Sequence, residues 1–193
     1  MTAVPDLLSP RLRLVALDPR FLQWCMAAHH QCAADWLGCD LPAEWLESWT
    51  LMALRHRDLT LNPAYAPWSL RAIITRDSDE MIGHIGFHTP PDPAYLRDLG
   101  TRGIEVGYEI YPAKRRQGYA SEALYSMLSF AAAQGVSHAI LSISPTNLPS
   151  TRLAMRYGFS RFGEQMDEED GLEIIYRLPL DTGLPSPVHV AGR

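Results

Sequence analysis

No run of apolar residues in this chain approaches the roughly 18 that a membrane-spanning helix needs, so no membrane partner is expected. The opening stretch, MTAVPDLLSPRLRL, has no charged start followed by an apolar stretch and a small-residue cleavage site, so no signal peptide is expected. Cysteine is scarce: three in 193 residues give no disulfide framework and point to a reducing compartment, which makes a cytoplasmic setting the expectation. Positive charge is also short. Lys and Arg number 17 against 22 Asp and Glu, and the net charge of −5 argues against a nucleic-acid partner. There is no G-x-S-x-G nucleophile elbow, no P-loop, no G-x-G-x-x-G fingerprint and no internal repeat. Cys25, His29 and Cys32 follow at i, i+4 and i+7. No paired-ligand motif of the usual zinc type accompanies them, and one amphipathic helix with buried cysteines explains the spacing, so no metal is expected.

What is present suits an ordinary folded domain. The chain is 47% hydrophobic and 20% charged, and its length can bury a real core. Residues 1–10, with Pro5 and Pro10, read as a flexible arm, residues 11–180 as one domain, and residues 181–193 as a flexible tail. Arg11 to Leu17 alternates as a first strand. Asp18-Pro19 starts a helix that runs through FLQWCMAAHHQCAADW to Gly38, and a second helix spans Ala43 to about Arg57. Trp68 to Thr75 and Met81 to Thr89 read as a hairpin, followed by a long loop over 89–103. Strands are expected at His138–Ser144, Phe159–Gln165 and Leu172–Leu178, with a helix at Pro149–Tyr157 and an acidic turn at 167–171. The order predicts an α/β (α+β) fold, a mixed sheet with helices on its faces.

The richest stretch is Gly103–Leu124, GIEVGYEIYPAKRRQGYASEAL. Ile104, Val106, Tyr108 and Ile110 alternate as in a strand, Pro112 ends it, a basic turn follows, and Ser121 opens a helix. The first N–H groups of a helix lack internal partners and carry the positive end of its dipole, so a glycine-containing turn at that point can hold phosphate.

Arg115-Arg116-Gln117-Gly118-Tyr119-Ala120 fits the R/Q-x-x-G-x-G/A signature of the GNAT superfamily of acyl-CoA-dependent N-acyltransferases. Glu105-Val106-Gly107-Tyr108, Pro112 and Ala120-Ser121-Glu122-Ala123-Leu124 resemble the branch that includes the ribosomal-protein alanine acetyltransferases. So does Asn147-Leu148-Pro149-Ser150-Thr151-Arg152-Leu153 with Tyr157-Gly158-Phe159. The resemblance implies a single-domain GNAT-like fold with a mixed, mostly antiparallel sheet of about six to seven strands. It also implies a central strand that splays from the next one to admit the cofactor's pantetheine arm. The implied co-substrate is acetyl-CoA, and the implied reaction is acetyl transfer to a primary amine on a protein N-terminus, an amino acid or a small metabolite. A non-catalytic acyl-CoA-binding module, transfer of another acyl group such as succinyl, and a homodimer stay open.

The resemblance assigns the pyrophosphate to Gln117, Gly118, Tyr119 and Ala120, with added charge from Arg115 and Arg116. It assigns the pantetheine to the backbone of Ile110, and the pantetheine arm or adenosine side to Asn147 and Ser150. Asn147 also suits a helix cap. Direct attack by an amine needs a proton acceptor and no enzyme nucleophile. Glu105, seven residues before Pro112, is the first candidate base, where several GNAT members carry an acid, and Glu109 is the second. His84 and His88 share one face of the preceding strand. If that strand pairs antiparallel with the central one, His88 falls near Glu105, and a His–Glu pair can accept a proton. Many GNAT members carry a tyrosine acid four residues before the Gly-Phe; here that position is Ala154, and Tyr157 does not take over the role. The two N-terminal helices and the 89–103 loop, rich in Trp36, Trp45, Trp49, Trp68 and Tyr65, are expected to build the acceptor pocket.

Overall fold

Alternation along the chain becomes eight strands, and helical periodicity becomes the helices around them. The computed structural model describes residues 4–98, 101–167, 171–181 and 183–184. Outside the described residues lie 1–3 of the expected arm, 99–100 of the loop, 168–170 of the acidic turn, and 182 and 185–193 of the expected tail. The chain forms two compact units, Met1–Phe87 with Tyr108–Ser126, and His88–Gly107 with Met127–Arg193.

In the first unit, β1 (Leu7–Leu8), β2 (Leu12–Ala16), β3 (Arg71–Thr75) and β4 (Met81–Phe87) pair antiparallel in sequence. β3 and β4 are buried at every position, and their sequences are mainly apolar, with Arg71, Thr75 and His84 as buried polar exceptions. Within the stretch expected as an arm, Leu7–Leu8 pairs with β2. Ser9 and Arg11 are held too: Ser9 Oγ, the Arg11 N–H and Arg11 Nε each donate to the Glu122 carboxylate at 2.7 Å.

The long first helix is also corrected. It breaks into α1 (Pro19–Met26) and α2 (His30–Leu37) at Ala28, whose φ of 57° is left-handed. The break rotates Cys25, which is buried, away from Cys32, which is exposed, so the i, i+7 face does not exist. The second helix likewise divides into α3 (Ala43–Leu46) and α4 (Trp49–Leu61). Their core gathers Phe21, Leu22, Leu37, Trp45, Met52 and Leu59 against β2 and β3. Trp45 is fully buried, and truncating such a side chain costs about 3–5 kcal/mol.

The second unit holds α5 (Ala94–Asp98), β6 (His138–Ile143), α7 (Leu148–Arg156), β7 (Ser160–Asp167) and β8 (Gly171–Pro179). β5 (Ile104–Ile110) and α6 (Tyr119–Ala133) each contribute residues to both units. The strand order is β1-β2-β3-β4-β5-β6-β8-β7. β5 and β6 are parallel, while β8 pairs antiparallel with both β6 and β7. The sheet is therefore mixed and mostly antiparallel, with eight strands where about six to seven were expected. β5 and β6 register only at Ile104↔Ala139 and Glu105↔Ile140, although both strands run on beyond. Among the described residues no helix is long and apolar enough to cross a membrane.

Candidate active site

The basic turn folds as the sequence suggested, with one change in the arginines. Arg116 (φ 63°) and Gly118 (φ 83°) both take the left-handed conformation just before α6 begins at Tyr119. Gly118 suits this backbone because an L side chain there would be strained, and an added Cβ would lie 3.3 Å from Arg11. Arg115 is exposed and is also tied to β5. Its Nε donates to the Ile110 carbonyl at 2.7 Å and its guanidinium lies 3.6 Å from Glu109. The Arg115 side chain thus braces the turn against the end of β5. Asn147 caps α7, its Oδ1 accepting from the Ser150 N–H at 3.2 Å. Ala154 is fully buried and Tyr157 is 1% exposed, so neither side chain is open for acid work.

The acidic and imidazole candidates form two separate pairs. In the first unit His84 Nε2 lies 4.0 Å from Glu109 Oε2. His84 is buried against Trp45 and Tyr111, with ring centroids 5.8 and 6.2 Å away, and its Nδ1 has no hydrogen-bond partner. Burial pushes its pKa down to about 4, so the ring stays neutral near neutral pH.

In the second unit His88 Nδ1 lies 3.6 Å from Glu105 Oε2, within ion-pair distance. Antiparallel register brings them together, since the His88 N–H donates to the Glu105 carbonyl at 2.9 Å. Glu105 is 5% exposed, whereas the His88 side chain is 44% exposed. Burial by itself would raise the Glu105 pKa. His88, Ser142 and Tyr95 outweigh it by hydrogen bonding and charge and pull the carboxyl down to about 2. Tyr95 Oη donates to Glu105 Oε2 at 2.6 Å. Gly107 makes room for the imidazole, because a Cβ there would sit 2.5 Å from His88 Nε2.

A cavity of about 380 Å³ opens on this pair, lined by His88, Thr89, Tyr95, Glu105, Gln165, Met166, Asp167 and Glu173. Thr89 and Tyr95 come from the 89–103 stretch, and Gln165, Met166, Asp167 and Glu173 from β7 and β8. Gln165 Nε2 donates to Glu173 Oε2 at 3.1 Å and reaches Ser142 Oγ at 3.5 Å. Tyr95, Ser142, Gln165, Asp167 and Glu173 were not singled out from the sequence. The polar residues beside the acidic turn were the available signal.

The strand order, with a glycine-containing turn between β5 and α6, is that of a mixed α/β sheet. The family described as acetyltransferase (GNAT) domain matches residues 11–160. This chain belongs to that family. It is 36% identical over 89 residues to the uncharacterized N-acetyltransferase YoaA of Bacillus subtilis, covering 46% of each chain. The match thus spans about half the length of that curated relative. Among solved structures it shares the fold of a putative GnaT-family acetyltransferase from Bordetella pertussis (22% identity, TM-score 0.61, 90% of this chain and 98% of that one). It also shares the fold of RimL, a ribosomal L7/L12 alpha-N-protein acetyltransferase solved with coenzyme A (18% identity, TM-score 0.61, 93% and 100%).

Proposed function

We propose that this protein is an N-acetyltransferase that uses acetyl-CoA to acetylate a primary amine on a protein N-terminus, an amino acid or a small metabolite. The observation that carries the reading is a buried, ionised Glu105 held against the exposed imidazole of His88 in a cavity. Family membership sets the reaction class.

The nest-like turn from Arg116 to Ala120 suits a pyrophosphate, since it leads into the N-terminus of α6, where helix N–H groups lack internal partners, and Gly118 puts no side chain in the way. Gln117, Gly118, Tyr119 and Ala120 would hold it, with Arg116 adding charge. Ile110, Asn147 and Ser150 would meet the rest of the cofactor. When bound, acetyl-CoA supplies an activated acetyl thioester. His88 takes the proton from the acceptor's ammonium or attacking amine, because its imidazole is exposed at the cavity and can both accept and pass on a proton. Glu105 fixes the ring and offsets the charge it gains. A carboxylate held at about 2 is itself a weak base, so Glu105 acts through His88. Glu109 and His84 are structural in this reading.

Thiol release from acetyl-CoA, followed over a panel of primary amines, tests the proposal. Turnover with at least one amine is expected. Tight acetyl-CoA binding without turnover on any amine would instead favour the second reading, an acyl-CoA-binding module. The buried Ala154 at the family's acid position is the observation that favours it.

A further inference from the structure

We propose that Tyr95 is a positioning residue for the transfer reaction, locking the Glu105 carboxylate so that His88 is presented in one orientation. The inference rests on His88 and Glu105 being the proton-accepting pair.

Three observations carry it. First, the Tyr95 hydroxyl donates to Glu105 Oε2 at 2.6 Å, a short charge-assisted bond, and Oε2 is the same oxygen that faces His88 Nδ1. Second, Tyr95 is itself fixed. Its neighbour Leu96 is 1% exposed in a cluster with Ile140 and Ile175, and Tyr95 and Phe162 pack on that cluster. A short helix in an otherwise irregular loop is thereby anchored on β6 and β8. Third, Glu105 is almost wholly buried, so its orientation is set by these donors and not by water. The ionisable groups around it are His88, Tyr95 on α5, Asp167 on β7 and Glu173 on β8.

The same bond excludes another role. If Tyr95 gave up its proton to a leaving thiolate, a phenolate would face a carboxylate at 2.6 Å in a buried site. Tyr95 therefore does not replace the missing tyrosine acid. Removing its hydroxyl would concentrate the Glu105 charge on His88 and loosen the pair.

Tyr95→Phe keeps the ring and its packing. In thiol-release kinetics with the best amine of the panel, it is expected to lower kcat about fivefold to twentyfold while KM for acetyl-CoA stays within about twofold. The acid limb of the pH–rate profile is expected to move to higher pH by about half a unit or more. In a Glu105→Gln background the same change should cost less than half as much, on a logarithmic scale, because the charged partner is gone. An unmoved acid limb overturns the inference even if kcat falls, as does an equal loss in the Glu105→Gln background. Incorporating 3-fluorotyrosine at position 95, a stronger donor, should shift the limb the opposite way; a shift in the same direction as Tyr95→Phe also overturns it. A His88→Gln enzyme with undiminished kcat would remove the underlying reading instead, which separates the two failures.

Discussion

The two His–Glu pairs use the same residue types with the burial reversed. In one, the imidazole of His84 is buried and Glu109 is half-exposed. In the other, Glu105 is buried and the imidazole of His88 is exposed. A buried ring with an unpartnered nitrogen is held neutral by desolvation and serves as packing. A buried carboxylate that collects donors from Tyr95, Ser142 and His88 stays ionised and can steer a ring that still reaches a cavity. Spacing in the sequence cannot separate these cases, since His84 and His88 stand four residues apart and alternation assigns them to one face. What their neighbours bury separates them.

The largest expected consequence is in catalysis. His88→Gln should lower kcat about a hundredfold or more with little change in acetyl-CoA affinity, read from thiol-release kinetics and a binding titration. His84→Leu should keep kcat within about threefold. Equal losses in the two variants would erase the distinction between the pairs.

Gly107→Ala comes next. The new methyl would meet His88 Nε2 at 2.5 Å and must displace the imidazole, so kcat should fall about tenfold to a hundredfold while the protein stays folded. An unaffected kcat would mean that His88 does not work from this position.

A third expectation concerns stability against pH. The His84 pKa in the folded protein lies below its ordinary 6.5, so its contribution is present above that value and is lost as pH falls toward about 4. The difference is on the order of 3 kcal/mol. Glu105 acts in a lower window, losing its contribution as pH falls from about 4.5 toward 2. Denaturant unfolding of His84→Leu between pH 7 and 4 should therefore show a flatter slope than the parent protein. An unchanged slope would contradict the buried, neutral assignment.

The smallest expected effect tests the nest. Gly118→Ala forces a left-handed non-glycine residue and should raise KM for acetyl-CoA several-fold with kcat largely kept.

Much of this was legible in the sequence because local patterning encodes it. The alternation of Ile104, Val106 and Ile110, the stop at Pro112 and the glycine turn before α6 are short-range signals. The approach of His88 to Glu105 was legible only on the condition of antiparallel pairing across the 89–103 loop, and the His88 N–H bond to the Glu105 carbonyl meets that condition. The breaks at Ala28 and between α3 and α4 were not legible, because apolar spacing continues across them and only the backbone turns. The cavity wall was hidden for a different reason. β8 inserts between β6 and β7, so Gln165 and Glu173 reach the Glu105 site through strand order, which periodicity does not report. Tyr95 sat in a stretch read as loop, where a five-residue helix carries it.

The central claim is that His88, steered by Glu105, takes the proton, and the pH dependence of kcat tests it most directly. The account predicts an acid limb, with activity rising as an imidazole loses its proton, that disappears in His88→Gln and stays in place in His84→Leu. A limb that survives unchanged in His88→Gln, or that vanishes in His84→Leu, would contradict it.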